Sequence, residues 1–202
     1  KNILLIWNSI HDWKVEYNSK SIDSNLFITK IYLRKIDKHI SVYGKIYHNS
    51  VNIAPKVQKI IRNKSLLKSN LQKCIRRGDI DKALVTALCL IRIDFSGFLR
   101  RLIIISIEDV CVTNNIDLLV WLMIAYPNYN ISNEIIQYLL LTVYSLANHK
   151  RKFLPNTNND KLDYDSIDYT SNIINSLLIR EEYGGMKGDM ALIRKIVNSR
   201  NI

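Results

Sequence analysis

Glycine and proline are scarce in this 202-residue chain, six and three respectively, which argues against an all-β fold built on many tight turns. No run of about 18 uninterrupted apolar residues occurs, so no membrane span is expected. There is no GxxxxGK(S/T) phosphate loop and no Walker-type acidic strand, which removes a nucleotide-hydrolysing module. Cysteine is limited to Cys74, Cys89 and Cys111, an odd set without CxxC spacing. That pattern argues against a zinc site and fits a reducing, intracellular setting, cytoplasm or nucleus. The histidines His11, His39, His48 and His149 are dispersed, so neither a metal nor another cofactor is expected. No nucleophile–base pair stands out. The chain therefore reads as non-catalytic, with Glu108-Asp109 and the Asp163/Asp165 pair as the carboxylates to test for hydrolysis.

What is present is positive charge, unevenly placed. The net formal charge is +11. Residues 1–77 hold 16 Lys/Arg against 4 Asp/Glu, a net of +12, whereas residues 78–202 hold 13 against 14, a net of −1. A lysine-rich coding bias would spread the excess over the whole chain. Its concentration in the first third points instead to a polyanion, DNA or RNA, as partner. An apolar fraction of 48% is enough for a packed core.

The first 50 residues read as a basic β-rich segment. Residues 2–10 form a short apolar run, and 14–17 and 25–33 alternate with β-branched and aromatic residues. Residues 39–48 alternate more cleanly, placing Ile40, Val42, Gly44 and Ile46 on one face and Tyr43, Lys45 and Tyr47 on the other. Residues 25–48 are expected to form a β-hairpin in a small antiparallel sheet, with Leu26, Ile28, Ile31 and Leu33 toward the core. Lys30, Arg34 and Lys45 among tyrosines suit a strand that contacts phosphate and stacks on bases. Ordinary cross-strand packing is the simpler reading of the tyrosines.

From residue 51 the pattern turns helical and is expected to remain so to residue 202. Pro55 suits a first helical turn, and Lys56, Lys59, Arg62, Lys64 and Lys68 recur beside an apolar stripe, with a break near 63–65. Such a basic helix can lie along a phosphate backbone. Gly78 fits a helix stop and Asp79 the cap of the next helix, where Ala83 and Ala87 permit close approach. Asp94 or Ser96 can cap a further helix through Val112. Arg76, Arg77, Arg100, Arg101, Glu108 and Asp109 lie among apolar residues. They are expected to form a structural charge network, with Arg76 or Arg77 reaching Glu108 or Asp109.

The pattern LQKCIRRGDIDKAL … FLRRLIIISIEDV resembles the C-terminal, post-ATPase region of replication-associated AAA+ ATPases of the RarA/MgsA/Werner-helicase-interacting type. In that family a K-x-x-RG-x-D-x-x-x-AL turn precedes an RRL-x-x-x-x-x-ED-(I/V) helix. The residues that match are Lys73, Arg76 or Arg77, Gly78, Asp79, Asp81, Ala83, Leu84, Arg100, Arg101, Leu102, Glu108, Asp109 and Val110. The likeness spans about residues 71–126. It implies a clamp-loader-collar-like helical domain that oligomerises at replication forks. The ATPase itself has no counterpart, and Cys111 stands where the family usually has a small residue or glycine.

Residues 117–126 are nearly all apolar and read as a buried helix ended by Pro127; Ser132 caps another over 133–148. The stretch 153–170, with Pro155 and Asp160, Asp163, Asp165 and Asp168, is expected to be an acidic loop. It lacks the calcium-loop pattern. A helix over 172–183 ends at Gly184-Gly185. The turn Gly184-Gly185-Met186-Lys187-Gly188-Asp189 then opens into the last helix, with Asp189 as its cap, Met186 tucked into the core and Lys187 exposed. Its glycines could offer amides to a phosphate, although a helix–turn–helix joint is the simpler reading. The sequence as a whole predicts a mainly α protein of about seven helices preceded by a small antiparallel β-rich segment. Its expected role is that of a non-catalytic nucleic-acid-associated factor of DNA replication or repair that self-associates. The rival is a structural or protein-interaction module.

Overall fold

The computed structural model describes residues 3–9, 12–17, 26–33, 38–45, 63–110, 115–149 and 171–198. Strands β1 (Ile3–Ser9) and β2 (Asp12–Tyr17) pair antiparallel, as do β3 (Leu26–Leu33) and β4 (Lys38–Lys45). They form two separate two-stranded ladders rather than one sheet, with β1 lying against β4. Among the described residues seven helices follow: α1 (Lys64–Arg77), α2 (Ile80–Ile93), α3 (Phe95–Ile105), α4 (Asn115–Ala125), α5 (Asn133–Asn148), α6 (Ser171–Glu182) and α7 (Lys187–Asn198). A π-helical turn, Ser106–Val110, extends α3. The protein is mainly α, with a small antiparallel β portion ahead of the helices.

Local chemistry sets the boundaries. Asn63 caps α1 by accepting from the Leu66 amide at 3.0 Å, at the break expected near 63–65. Gly78, at φ 73°, closes α1: its own N–H reaches the Ile75 carbonyl, and that of Asp79 reaches Cys74 at 2.9 Å. This is a Schellman closure, which needs a left-handed residue. Asp79 then caps α2 from its side chain, so two adjacent residues both end one helix and start the next. Asp94 caps α3 in the same way.

The core is helical. Ala83 and Ala87 are fully buried where α2 packs on α1, and Asn70 donates to Thr86 at 2.8 Å across that contact. Helix α4 has no polar face: every residue from Ile116 to Ala125 is buried. The β3–β4 hairpin docks on α4. The Trp121 indole donates to the Tyr43 carbonyl at 2.8 Å, and Phe27, Tyr129 and Trp121 stack edge to face.

That docking corrects the expected faces of the hairpin. Tyr43 is buried, only 4% exposed, and Ser41 and Val42 beside it are buried too, so β4 is covered on both faces there. Tyr43 is thus a packing residue and not a platform for bases. On β3, Ile28, Lys30 and Tyr32 are exposed while Phe27, Thr29 and Ile31 are half-buried. Ile28 therefore faces outward, because the two-residue period puts it with Lys30, not with Ile31.

Candidate anion-binding pocket

The expected charge network forms, but with different members. Asp109 is buried and accepts from Arg76 through Nε at 2.7 Å and Nη2 at 2.6 Å, and from Gln72 Nε2 at 2.7 Å. Gln72 also donates to Glu108 at 2.9 Å, and its own carbonyl accepts from Arg101 Nη2. A single amide thus links the carboxylates at the π turn to an arginine of α3. Sequence spacing gave no reason to single out Gln72, whose role depends on three partners from elsewhere in the chain, Glu108, Asp109 and Arg101. Arg77 is exposed, and among the described residues no hydrogen bond or ion pair joins it to the network. Arg100 does not join it either; it lines a pocket instead.

That pocket, about 480 Å³, lies among α1, α3, α6 and the start of α7. Its lining includes Lys68, Gly97, Arg100, Arg101, Arg180 and Asp189, with Gly184, Gly185 and Met186 along the connecting turn. Lys68 reaches Asp94 at 2.7 Å directly over Gly97, where a Cβ would collide with both charged groups. Burial pushes the Asp94 carboxyl up, but the Lys68 hydrogen bond and charge and the Gly97 amide outweigh it and hold the group below its usual range. Arg101 meets Asp189 at 3.4 Å. Asp189 accordingly sits inside the first turn of α7 rather than at its cap, because the helix already begins at Lys187.

Arg180 is the least expected member. It is 3% exposed, and its hydrogen bonds go to carbonyls: Nε to Arg100 at 3.3 Å and Nη1 to Gly184 at 2.8 Å. Among the described residues no carboxylate lies within ion-pair distance of it. Burial, followed by the nearby Arg100, pushes its pKa down to about 10, with Asp189 acting in the opposite direction and Arg101 adding to the fall. It is still a cation at neutral pH. Burial likewise pushes the Tyr183 phenol up to about 12, opposed by Arg100. The Nε atoms of Arg100 and Arg101 are buried without a hydrogen-bond partner among the described residues. Buried guanidinium groups without counter-charges are costly, and convergent arginine donors are the chemistry that holds phosphate.

Of the basic residues expected to contact nucleic acid, Lys68 lines this pocket and Lys64 is exposed one turn before it on α1. Lys30 is exposed on β3, away from these helices. Arg34, Lys56, Lys59 and Arg62, and the side chain of Lys45, lie outside the described residues, as do Tyr47, Cys111 and the 153–170 acidic stretch. Arg100 and Arg101, expected to serve structure alone, turn toward the same pocket as Lys68. The signal for Arg180 was in the sequence: Ile173, Ser176, Leu177 and Arg180 follow i, i+3, i+4, i+7 spacing, all buried, which places a cation on the core-facing stripe of α6. Met186, expected in the core, is 62% exposed at the pocket rim, since the extended turn before α7 holds it outside the bundle.

Among the described residues, no helix is long and apolar enough to cross a membrane. No protein-family model matches the chain, and no curated protein or solved structure matches it either.

Proposed function

We propose that this chain is a non-catalytic nucleic-acid-associated protein whose phosphate contacts centre on the pocket formed by α1, α3, α6 and α7. The observation that carries the reading is the buried Arg180, a guanidinium bonded only to carbonyls in the described structure and set beside Arg100, Arg101 and Lys68. A cluster of that kind is stabilised by an anion, and the positive charge of residues 1–77 extends the attraction beyond the pocket. A role in DNA replication or repair is supported by the likeness of residues 71–126 to the collar-like region, on which alone it rests.

Fluorescence anisotropy with single-stranded and duplex DNA and RNA tests the reading. Binding is expected to weaken steeply with salt, as counterion release requires, and the slope to fall in a Lys64→Glu/Lys68→Glu variant. No binding to any of these at low salt overturns it. Self-association belongs to the same proposal and is supported by a shallow apolar groove between α1 and α2. Leu67, Thr86, Cys89 and the 64% exposed Val85 line it. Light scattering is expected to give a mass above that of one chain and a lower mass for Val85→Asp. A monomer at high concentration removes that part.

A further inference from the structure

The charges around the pocket do not balance. Lys68 is held by Asp94 at 2.7 Å and Arg101 by Asp189 at 3.4 Å. Arg100 and Arg180 have no carboxylate at ion-pair distance among the described residues. Four cations less two carboxylates leave +2. A backbone phosphodiester carries one negative charge, whereas a phosphate monoester carries about −1.5 to −2 at neutral pH. The surplus matches the monoester.

Shape and donor geometry agree with the charge. A volume of about 480 Å³ is more than a phosphate group fills and lies within the range that takes a small organic ligand. The exposed Met186 side chain at the rim offers a sugar or base an apolar, polarisable surface. Gly185 lines the Arg180 end of the pocket, where a Cβ would press on the Met190 methyl at 3.1 Å and lie in ordinary contact with Arg180 Nη2. Arg100 and Arg101 both line the same pocket, so their guanidinium groups add to the cationic wall beside Arg180.

We infer that the pocket takes a phosphate monoester: the phosphorylated end of a nucleic-acid strand, or the single phosphate of a nucleotide. Arg100 and Arg180 supply its counter-charges. Lys68 and Arg101 flank it, each already engaged by a carboxylate. This rests on the phosphate-binding reading of the pocket proposed above and specifies which phosphate it selects. The carboxylate of Asp189 then opposes the ligand and limits its affinity, which separates this site from a general basic surface.

The experiment compares one single-stranded DNA sequence in three forms: 5′-phosphorylated, 3′-phosphorylated, and with hydroxyl at both ends. A nucleoside 5′-monophosphate serves as competitor. One phosphorylated form is expected to bind at least about tenfold more tightly than the hydroxyl form, the size of one charge-assisted contact. Arg100→Gln is expected to abolish that preference. Asp189→Asn, which removes a negative charge and keeps the side-chain shape, is expected to enlarge it. The opposite signs guard against a variant that merely folds poorly. Equal binding of all three forms, unchanged by either substitution, overturns the monoester inference and leaves nucleic-acid binding standing. Tight binding of the monophosphate with no binding of any strand supports the monoester site, names the nucleotide as its source and overturns the nucleic-acid reading. No binding of any probe overturns both.

Discussion

Asp117 and Asp94 show how one residue type acquires opposite roles from its surroundings. Asp94 is half-buried beside Lys68, and its carboxyl is held below the ordinary range. Asp117 is buried within α4, where desolvation pushes its carboxyl up and a Ser176 hydrogen bond only partly opposes the shift. A raised folded-state value means the fold favours protonated Asp117. Its contribution to stability is fully present below the unfolded value, about 3.9, and is lost as pH rises through the folded value. Asp117→Asn cannot ionise and can keep a hydrogen bond to Ser176. Urea unfolding is therefore expected to show variant and parent alike in acid, with the variant gaining relative stability as pH rises toward neutral. Parallel pH profiles would show that Asp117 is ionised in the fold. The contribution of Asp94 has the opposite sign, fading as pH falls, and is common to both proteins, so it cancels in the comparison.

At the scale of elements, the corner between α1 and α2 was the most legible part of the sequence. Gly78-Asp79 carries its own geometry, because only a glycine accepts the left-handed closure cheaply and only a short polar side chain caps the next helix. Gly78→Ala is expected to cost about 1–2 kcal/mol from the left-handed conformation, less a few tenths recovered by stiffening the unfolded chain. In thermal unfolding that is a fall of roughly 2–4 °C per kcal/mol. An unchanged midpoint would mean that the corner relaxes without the left-handed residue. The charged residues were less legible. The sequence leaves open whether Arg76 or Arg77 reaches Glu108 or Asp109; of those four pairings the structure forms Arg76–Asp109. The division between structural and ligand-facing arginines was not readable. Arg100 and Arg101 are adjacent on α3 and both line the pocket, and that Arg101 alone also reaches Gln72 depends on how the surrounding helices pack over them. No spacing within residues 71–112 contains that information.

At the scale of the whole molecule, the helical content and the β portion ahead of it follow from periodicity and from scarce glycine and proline. The attachment between them does not, since it runs through contacts 78 residues apart in the chain. Helix α4 is buried on every face, so its apolar surface alone cannot select where β4 lies against it. The Trp121 indole N–H is the group that can, because it needs an acceptor and finds the Tyr43 carbonyl at 2.8 Å. Trp121→Phe keeps an aromatic ring against Tyr129 and removes that donor. The lost hydrogen bond and the smaller ring are expected to cost about 1–3 kcal/mol. The location of the loss is the sharper test. Amide hydrogen exchange is expected to quicken in β3 and β4 well before it quickens in α2 and α5, as a locally opening unit behaves. Equal acceleration in the strands and the helices would instead make the hairpin part of one cooperative unit with the bundle, held by Val42 in the helical core as much as by Trp121.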